Sequence, residues 1–178
     1  MKQQHLFSMP RIETNPGKFV SVYRVSLVKD QKISFEQGQL SNSRQAHAFA
    51  QKLIRTRGQP DREQFCVILL NAKNEITGIN IVSTGSVSST PVHPREVFKP
   101  AILTNSSALI LCHNHPSGNT DPSPEDIVIT QRIIQAAEII GLQVHEHLII
   151  SMMDDRYFSF ADQGLIARFY REINNPNT

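Results

Sequence analysis

H-N-H-P-S-G-N-T-D-P-S-P-E-D occupies residues 113–126, and the rest of the chain is organised around it. An apolar run, A-L-I-L-C at 108–112, precedes this stretch, and a long pattern of apolar residues at helical spacing begins near Ile127. The apolar run predicts a buried strand that carries His113 and His115 at its carboxyl end. Because side chains alternate along a strand, both histidines lie on one face. The stretch therefore predicts a histidine pair on a strand, beside the start of a helix.

The predicted helix start supplies further polar groups. Ser123 fits the N-cap, Pro124 fits N1, and Asp126 falls at N3, near the positive end of the helix dipole. Catalytic zinc sites take three protein ligands and keep one position open for water. His113, His115 and Asp126 are therefore candidate ligands of one Zn²⁺ ion. Ser123 is a candidate for stabilising the oxyanion of an attacked carbonyl, although it and Asp126 could also serve only the helix cap.

A general base outside this stretch is needed to take the proton of the attacking water. Glu63 is the candidate, because it begins a buried strand and has the parity of Phe65. His93, His145 and His147 are weaker candidates. His145 and His147 share one face of a later strand, where they either line the core and rim or support the metal ligands from behind.

The remaining pattern interleaves strands and helices. Strands are predicted at 19–28, 65–70, 76–82, 144–150 and 157–160, and further helices at 43–57, 94–103 and 164–173. The polar turn at 71–75 favours a hairpin, which argues against a purely parallel sheet. We therefore predict a mixed α/β fold. The Ser/Thr-rich residues 83–90 are read as a loop, and residues 1–17 as a loosely held tail.

Length and composition predict one main domain with an extension. The chain has 178 residues, 39% of them hydrophobic, which is sufficient for a sizeable core. We divide it into a tail with a strand–helix extension at 1–58 and a metal-binding domain at 59–178. Cys66 and Cys112 lie in apolar runs, which favours buried free thiols over a disulfide. No segment approaches the roughly 18 apolar residues of a membrane helix, so we expect a soluble, cytoplasmic protein.

The charge is mildly basic, with 18 Lys and Arg against 16 Asp and Glu. No run of five or more basic residues occurs, so the signature of an obligate nucleic-acid binder is missing. The basic residues that a DNA-binding groove could use are scattered: Arg55, Arg57, Arg62, Arg95 and Lys99. DNA binding is therefore weakly supported by the sequence.

The pattern H-x-H-x7-S-x2-D, from His113 to Asp126, resembles the JAMM motif of the JAB/MPN+ metalloprotease superfamily. With P-R-E-V at 94–97 and H-L-I-I at 147–150, it resembles the bacterial RadC family in particular, over residues 60–162. The resemblance implies a deaminase-like fold, in which a curved, mixed β-sheet has flanking helices. It also implies zinc at His113, His115 and Asp126, Glu63 as acid/base and Ser123 as the oxyanion helper.

The chain departs from this family's pattern in two places. It lacks the glycine-centred helix-hairpin-helix that many relatives have before residue 60, which weakens any inference of DNA binding. Glu146 stands where an aspartate is often found before the downstream histidine.

These observations predict a zinc-dependent hydrolase of peptide or isopeptide bonds that acts on an unknown protein or peptide. One rival is a DNA-repair-associated accessory protein or metal-dependent nuclease. Another is a catalytically silent binding module that keeps zinc for structure. No membrane partner is expected, and a homo-oligomer is compatible with the sequence.

Overall fold

The fold is a mixed five-stranded sheet with helices on both faces, in a computed structural model that describes residues 20–30, 32–34, 38–85 and 92–175. The elements are α1 (Ser43–Arg57), β1 (Glu63–Leu70), β2 (Ile76–Gly85), α2 (Pro94–Leu103), β3 (Ala108–His115), α3 (Pro124–Ile140), β4 (Gln143–Ser151), β5 (Tyr157–Ser159) and α4 (Leu165–Asn174). The strand order is β2-β1-β3-β4-β5. The predicted mixed α/β fold is confirmed, and the architecture agrees with that of JAB/MPN domains.

The turn between β1 and β2 sets the antiparallel half of the sheet. Asn71 accepts hydrogen bonds through Oδ1 from the backbone N–H groups of Lys73 and Glu75, and Asn74 adopts a φ of 59°. This turn makes β1 and β2 an antiparallel hairpin, as predicted, and β1 also pairs antiparallel with β3. Because α3 crosses over between β3 and β4, those two strands run parallel.

The two faces of β1 and β3 contribute to two separate cores. Cys66, Ile68 and Leu70 pack with α1, whereas Phe65, Val67 and Leu69 pack with residues of α2, α3 and α4. Cys66 and Cys112 both lie on the α1 face, where they are buried free thiols, as predicted. The histidines of β3 lie on the other face, where the ring of His113 stacks on Phe65.

The predicted helices 43–57, 94–103 and 164–173 are confirmed, and so are the interior strands, the short strand at the sheet edge and the helix that Ser123 caps. Helix α1 ends at Gly58, as predicted, but with a φ of −94°, so the position does not use the left-handed conformation. Space favours glycine here, because a Cβ would lie 2.8 Å from the backbone carbonyl oxygen of Ile54 as well as 2.2 Å from Oε1 of Gln64.

The strand predicted at 19–28 is wrong over residues 20–28, which form no strand. Their apolar side chains are exposed, Val20 by 82% and Tyr23 by 86%. The alternating pattern favours a strand only where a sheet edge pairs with it, and no strand in the described part of the chain pairs with this segment. Phe19 and the predicted tail lie outside the described residues. The division of the chain at residue 58 stays a prediction.

The predicted loop at 83–90 is wrong at its start, because β2 continues to Gly85 and residues 83–85 pair with Phe65, Gln64 and Glu63. Residues 86–90 lie outside the described part. Within the residues described, no helix is both long and apolar enough to cross a membrane.

Candidate metal centre

Strand β3 brings its two histidines together at its carboxyl end. His113 and His115 are separated by one residue, so the pleat projects both rings to the same side. Their Nε2 atoms lie 3.1 Å apart, and their ring planes meet at 61°. His113 is buried, with 1% of its surface exposed, whereas His115 is partly exposed. The pair therefore lies where the core opens to the surface.

Asp126 approaches the same two nitrogens from the first turn of α3. Its Oδ1 lies 3.1 Å from Nε2 of His113, and its Oδ2 lies 3.8 Å from Nε2 of His115. Oδ2 also accepts hydrogen bonds from the backbone N–H and the hydroxyl of Ser123. The first of these and the bond from the Asp126 N–H to Ser123 Oγ form a capping box. In the metal-free protein burial raises the pKa of Asp126, but a proton that Nε2 of His113 shares with the carboxylate, together with the hydrogen bonds from Ser123, outweighs burial and holds the pKa of this carboxyl well below its usual range. One carboxylate thus serves the helix cap and faces the histidines.

Glu63 reaches the histidines from β1. Phe65 pairs with His113 in the antiparallel ladder, and Glu63 stands two residues before it on the same face. Each of Glu63, His113 and His115 offers a ligand atom, and these atoms all lie within 4.8 Å of one another. The three residues could hold one metal ion. The structure therefore places Glu63 and Asp126 each beside the two histidines, and the individual roles of these four residues stay predictions.

Hydrogen bonds behind the site determine the tautomer of His113. Thr130 lies one turn after Asp126 on α3, and its hydroxyl donates to the backbone carbonyl of Asp126. The hydroxyl oxygen can therefore only accept from Nδ1 of His147, at 2.6 Å. Nε2 of His147 then accepts from Nδ1–H of His113, at 2.9 Å. Burial and the neighbouring His113 lower the pKa of His147 well below its usual value, which keeps its ring neutral.

His115 reaches the same tautomer by a separate bond. Its Nδ1 lies 2.7 Å from the backbone carbonyl of Asn119, which can only accept, so Nδ1 carries the hydrogen. Both Nε2 atoms therefore present lone pairs to each other, and the Asp126 carboxylate faces them. Three acceptors without a donor need a cation or a proton between them. Zinc bonds of about 2.0–2.1 Å in a tetrahedron separate ligand atoms by about 3.3 Å, close to the distances found here. The residues thus fit a zinc ion.

Asn114, between the two histidines, points to the other face of β3 and is fully buried. Its Oδ1 accepts from the backbone N–H of Gln64 at 3.0 Å, and its Nδ2 donates to the carbonyl of Arg62 at 2.8 Å. These two backbone groups flank Glu63. The regular ladder between β1 and β3 ends at Phe65, and Asn114 extends the connection to the residue that carries the carboxylate.

The weaker candidates fall into two groups. His147 hydrogen-bonds His113, so it has the supporting role that the sequence analysis ranked below a position in the core or at its rim. His145 contacts Oδ1 of Asn74 instead, and burial lowers its pKa. His93 is the N-cap of α2 and makes no side-chain cap bond.

Sequence reasoning missed two residues, Thr130 and Asn114. Thr130 could have been found as the residue one helical turn after Asp126, which places it on the same face of α3. The sequence indicated Asn114 more weakly, by an amide side chain at a position predicted to lie on a buried strand. Glu146, the departure from the family pattern, accepts from the hydroxyls of Ser43 and Ser159 and joins α1 to β4 and β5.

The basic residues noted in the sequence do not share one element. Arg55 lies on α1, which packs on the face of the sheet opposite the histidines, whereas Arg95 and Lys99 lie on α2 and pair with Glu96. A groove that joins all of these cations is therefore not formed by the described residues.

Comparison with known proteins identifies sequence relatives. The RadC family, described as a RadC-like JAB domain, matches residues 40–165. The UPF0758 protein STH371 of Symbiobacterium thermophilum is 50% identical over 105 residues, 59% of this chain and 44% of the relative. A UPF0758 protein of Desulfitobacterium hafniense is 49% identical over 106 residues, 60% of this chain and 46% of the relative. For the UPF0758 protein YfjY of Escherichia coli, the identity is 45% over 106 residues, 60% of this chain and 65% of the relative. Most of these matches span about half the length of the curated relative.

Proposed function

This chain belongs to the RadC family, through its RadC-like JAB domain, and we propose that it is a zinc-dependent hydrolase of peptide or isopeptide bonds. The names of the relatives specify no reaction, so the chemistry of the site has to support the proposal. The observation that carries it is the convergence of two histidine Nε2 lone pairs and the Asp126 carboxylate, with Glu63 beside them.

His113 and His115, through Nε2, and Asp126, through Oδ1, would hold the ion. Zinc bound in such a site lowers the pKa of water to about 7 and polarises a carbonyl group. Glu63 could instead be the third ligand, because its carboxylate lies within 4.8 Å of a ligand atom of each histidine. We assign that position to Asp126 because its oxygens lie at 3.1 and 3.8 Å from the two nitrogens.

Glu63 then acts as the general base and acid. Its carboxylate takes the proton of the attacking water as the water oxygen bonds to the substrate carbonyl carbon. Glu63 returns the proton to the leaving nitrogen as the C–N bond breaks. Glu63 lies on β1, whereas the proposed ligands come from β3 and α3. Its carboxylate can therefore transfer protons beside the ligands without being one of them.

Ser123 has two candidate roles that use different atoms of its hydroxyl. Its Oγ caps α3 by accepting the backbone N–H of Asp126 at 3.1 Å, while its hydrogen is donated to Oδ2 of Asp126 at 2.6 Å. To stabilise a developing oxyanion, the hydroxyl has to turn from Asp126 towards the substrate. We keep the oxyanion role as a prediction, and we expect the cap to be its role in the free protein.

The proposal is tested by incubating zinc-loaded protein with a mixture of peptides and isopeptide-linked conjugates and identifying the products by mass spectrometry. We expect wild type to produce cleaved products and Glu63→Gln to produce none while it binds the same amount of zinc. If wild type and Glu63→Gln both bind zinc and neither cleaves any substrate, the result would instead support a catalytically silent binding module.

A further inference from the structure

A second cleft, with a volume of about 630 Å³, lies along α1. One wall is a stripe of α1 that includes Arg44, His47 and Arg55, and the other includes Asp155 and Tyr157 from the end of the sheet. Sites for small ligands have volumes of about 300–1,000 Å³. Since α1 covers the face of the sheet opposite the histidines, this cleft is separate from the candidate metal centre.

The cleft has an excess of positive charge. Arg44, Lys52 and Arg55 line it, and Asp155 is the one acidic residue among the described lining residues. Lys52 and Arg55 contact backbone carbonyls, of Ser34 at 3.1 Å and Met152 at 3.5 Å, and within the described chain neither they nor Arg44 forms an ion pair.

An aromatic pair with an unsatisfied nitrogen also lines the cleft. The ring of His47 is 94% buried, since 6% of its surface is exposed, and stacks on Tyr157 with 4.5 Å between centroids. Its Nε2 is buried and has no hydrogen-bond partner among the described residues. Burial lowers the pKa of His47, against the opposing effect of Asp155, so the ring is neutral, and its Nε2 pairs with a ligand only when the side chain turns to expose it to the cleft.

We propose that this cleft binds a nucleotide, either free or as one unit of a single strand. Lys52 and Arg55 are three residues apart on α1, so both can reach one phosphate. The phosphate monoester of a free nucleotide carries a charge of about −1.5 to −2, which matches the charge excess better than a single carboxylate does. The flat ring of a base suits the His47–Tyr157 pair, because bases stack on aromatic side chains.

Arg44 allows a free nucleotide to be distinguished from one unit of a single strand. It lies eleven positions before Arg55, which is about 16 Å along a helix. One phosphate between Lys52 and Arg55 therefore does not reach Arg44, whereas a neighbouring phosphate of a strand does. Binding of a free nucleotide should depend on Lys52 and Arg55, whereas binding of a strand should depend on Arg44 as well.

The test measures binding of AMP and of a short oligothymidylate to metal-stripped protein, so that phosphate cannot bind through zinc. We expect saturable binding that weakens at least about tenfold in Arg55→Gln and in His47→Phe, which keeps the stacked ring without its nitrogens. Arg171→Gln on α4 is the matched control, because it removes the same charge from an exposed helix face, and it should leave binding unchanged.

Arg44→Gln should weaken the oligothymidylate and not AMP if the occupant is a strand, and should weaken neither if it is a free nucleotide. In wild type, the ring resonances of His47 and Tyr157 should shift on saturation with AMP or the strand. The proposal is overturned if those resonances do not move. It is equally overturned if Arg55→Gln and Arg171→Gln bind alike, or if an acidic peptide binds and neither nucleotide probe does.

Discussion

Asn114 joins the strand of the two histidines to the strand of Glu63. Its replacement by alanine leaves the N–H of Gln64 and the carbonyl of Arg62 without their side-chain partner, and the loss at the buried N–H of Gln64 costs about 1–3 kcal/mol. We expect Asn114→Ala to lower kcat on the order of 100-fold, because Glu63 is no longer held in position. Zinc content should not change, since none of the three proposed ligands loses a contact. Steady-state kinetics and elemental analysis measure the two quantities.

Asn71→Ala is the matched control for this experiment. Asn71 also binds backbone groups through its amide, at the opposite end of β1 and away from the site. It should reduce the free energy of unfolding and leave kcat near the wild-type value. Equal loss of kcat in the two variants would show that Asn114 contributes general stability and does not position Glu63.

Thr130, acting through His147, determines which nitrogen of His113 carries the hydrogen, so that the lone pair of Nε2 is left for the metal. Thr130→Val keeps the shape of the side chain but removes the hydroxyl that accepts from His147. We expect zinc affinity to fall about 10- to 100-fold, as is usual when an outer hydrogen-bond partner of a ligand is lost. Competition with a chromophoric chelator measures it. Thr104→Val, which removes a similar hydroxyl-to-carbonyl bond in α2, should leave affinity unchanged.

At the scale of elements, the start of α3 has both a structural and a chemical role. Ser123→Ala removes the cap and should lower the free energy of unfolding by about 1 kcal/mol, measured by urea denaturation. If the hydroxyl also stabilises the oxyanion, kcat should fall about 100- to 1,000-fold in the same variant. A variant that loses stability while keeping its kcat would restrict Ser123 to the cap.

Elements with their own local signals were predicted well. The cap of α3, the turn at 71–75 and the apolar runs of β1 and β3 are encoded within a few residues, so the sequence located them closely. Residues 20–28 show the limit of this reasoning. Their alternation is as clear as that of a strand, but pairing depends on a partner that local pattern does not specify.

The same distinction applies to the site. His113, His115 and Asp126 lie within one strand–loop–helix unit, so their approach follows from strand alternation and helix capping. Glu63 could be inferred only from its parity on a neighbouring strand. His147 and Thr130 depend on how β4 and α3 meet across the sheet, a tertiary contact that spacing along the chain does not report.

At the scale of the whole molecule, the proposed ligands come from β3 and α3, with Glu63 on β1. A zinc ion would therefore bind the folded chain in preference to the unfolded one. At a zinc concentration 100 times Kd we expect the free energy of unfolding to rise by about 2.7 kcal/mol. Thermal unfolding with and without a chelator measures it, and His115→Ala should abolish the difference. No change in wild-type Tm on adding a chelator would contradict a bound ion.

The metal-free protein should lose stability in acid through Asp126. Its pKa is lower in the folded chain than the ordinary value of 3.8, so its contribution is present above about pH 4 and is lost as pH falls towards the folded pKa. Urea denaturation between pH 3 and 6 should show a smaller acid loss in Asp126→Asn. The pH dependence that Glu146 gives to stability has the opposite sign, because burial raises its pKa. Its contribution to the free energy of unfolding declines as pH rises above about 4.5.

Zinc stoichiometry in three proteins tests the central claim most directly. Elemental analysis of wild type, Asp126→Asn and Glu63→Gln, each refolded with zinc and dialysed, separates ligand from general base. We predict one zinc ion per chain in wild type and in Glu63→Gln, and almost none in Asp126→Asn. A wild type without zinc, or a Glu63→Gln variant that loses the ion while Asp126→Asn retains it, would contradict the account.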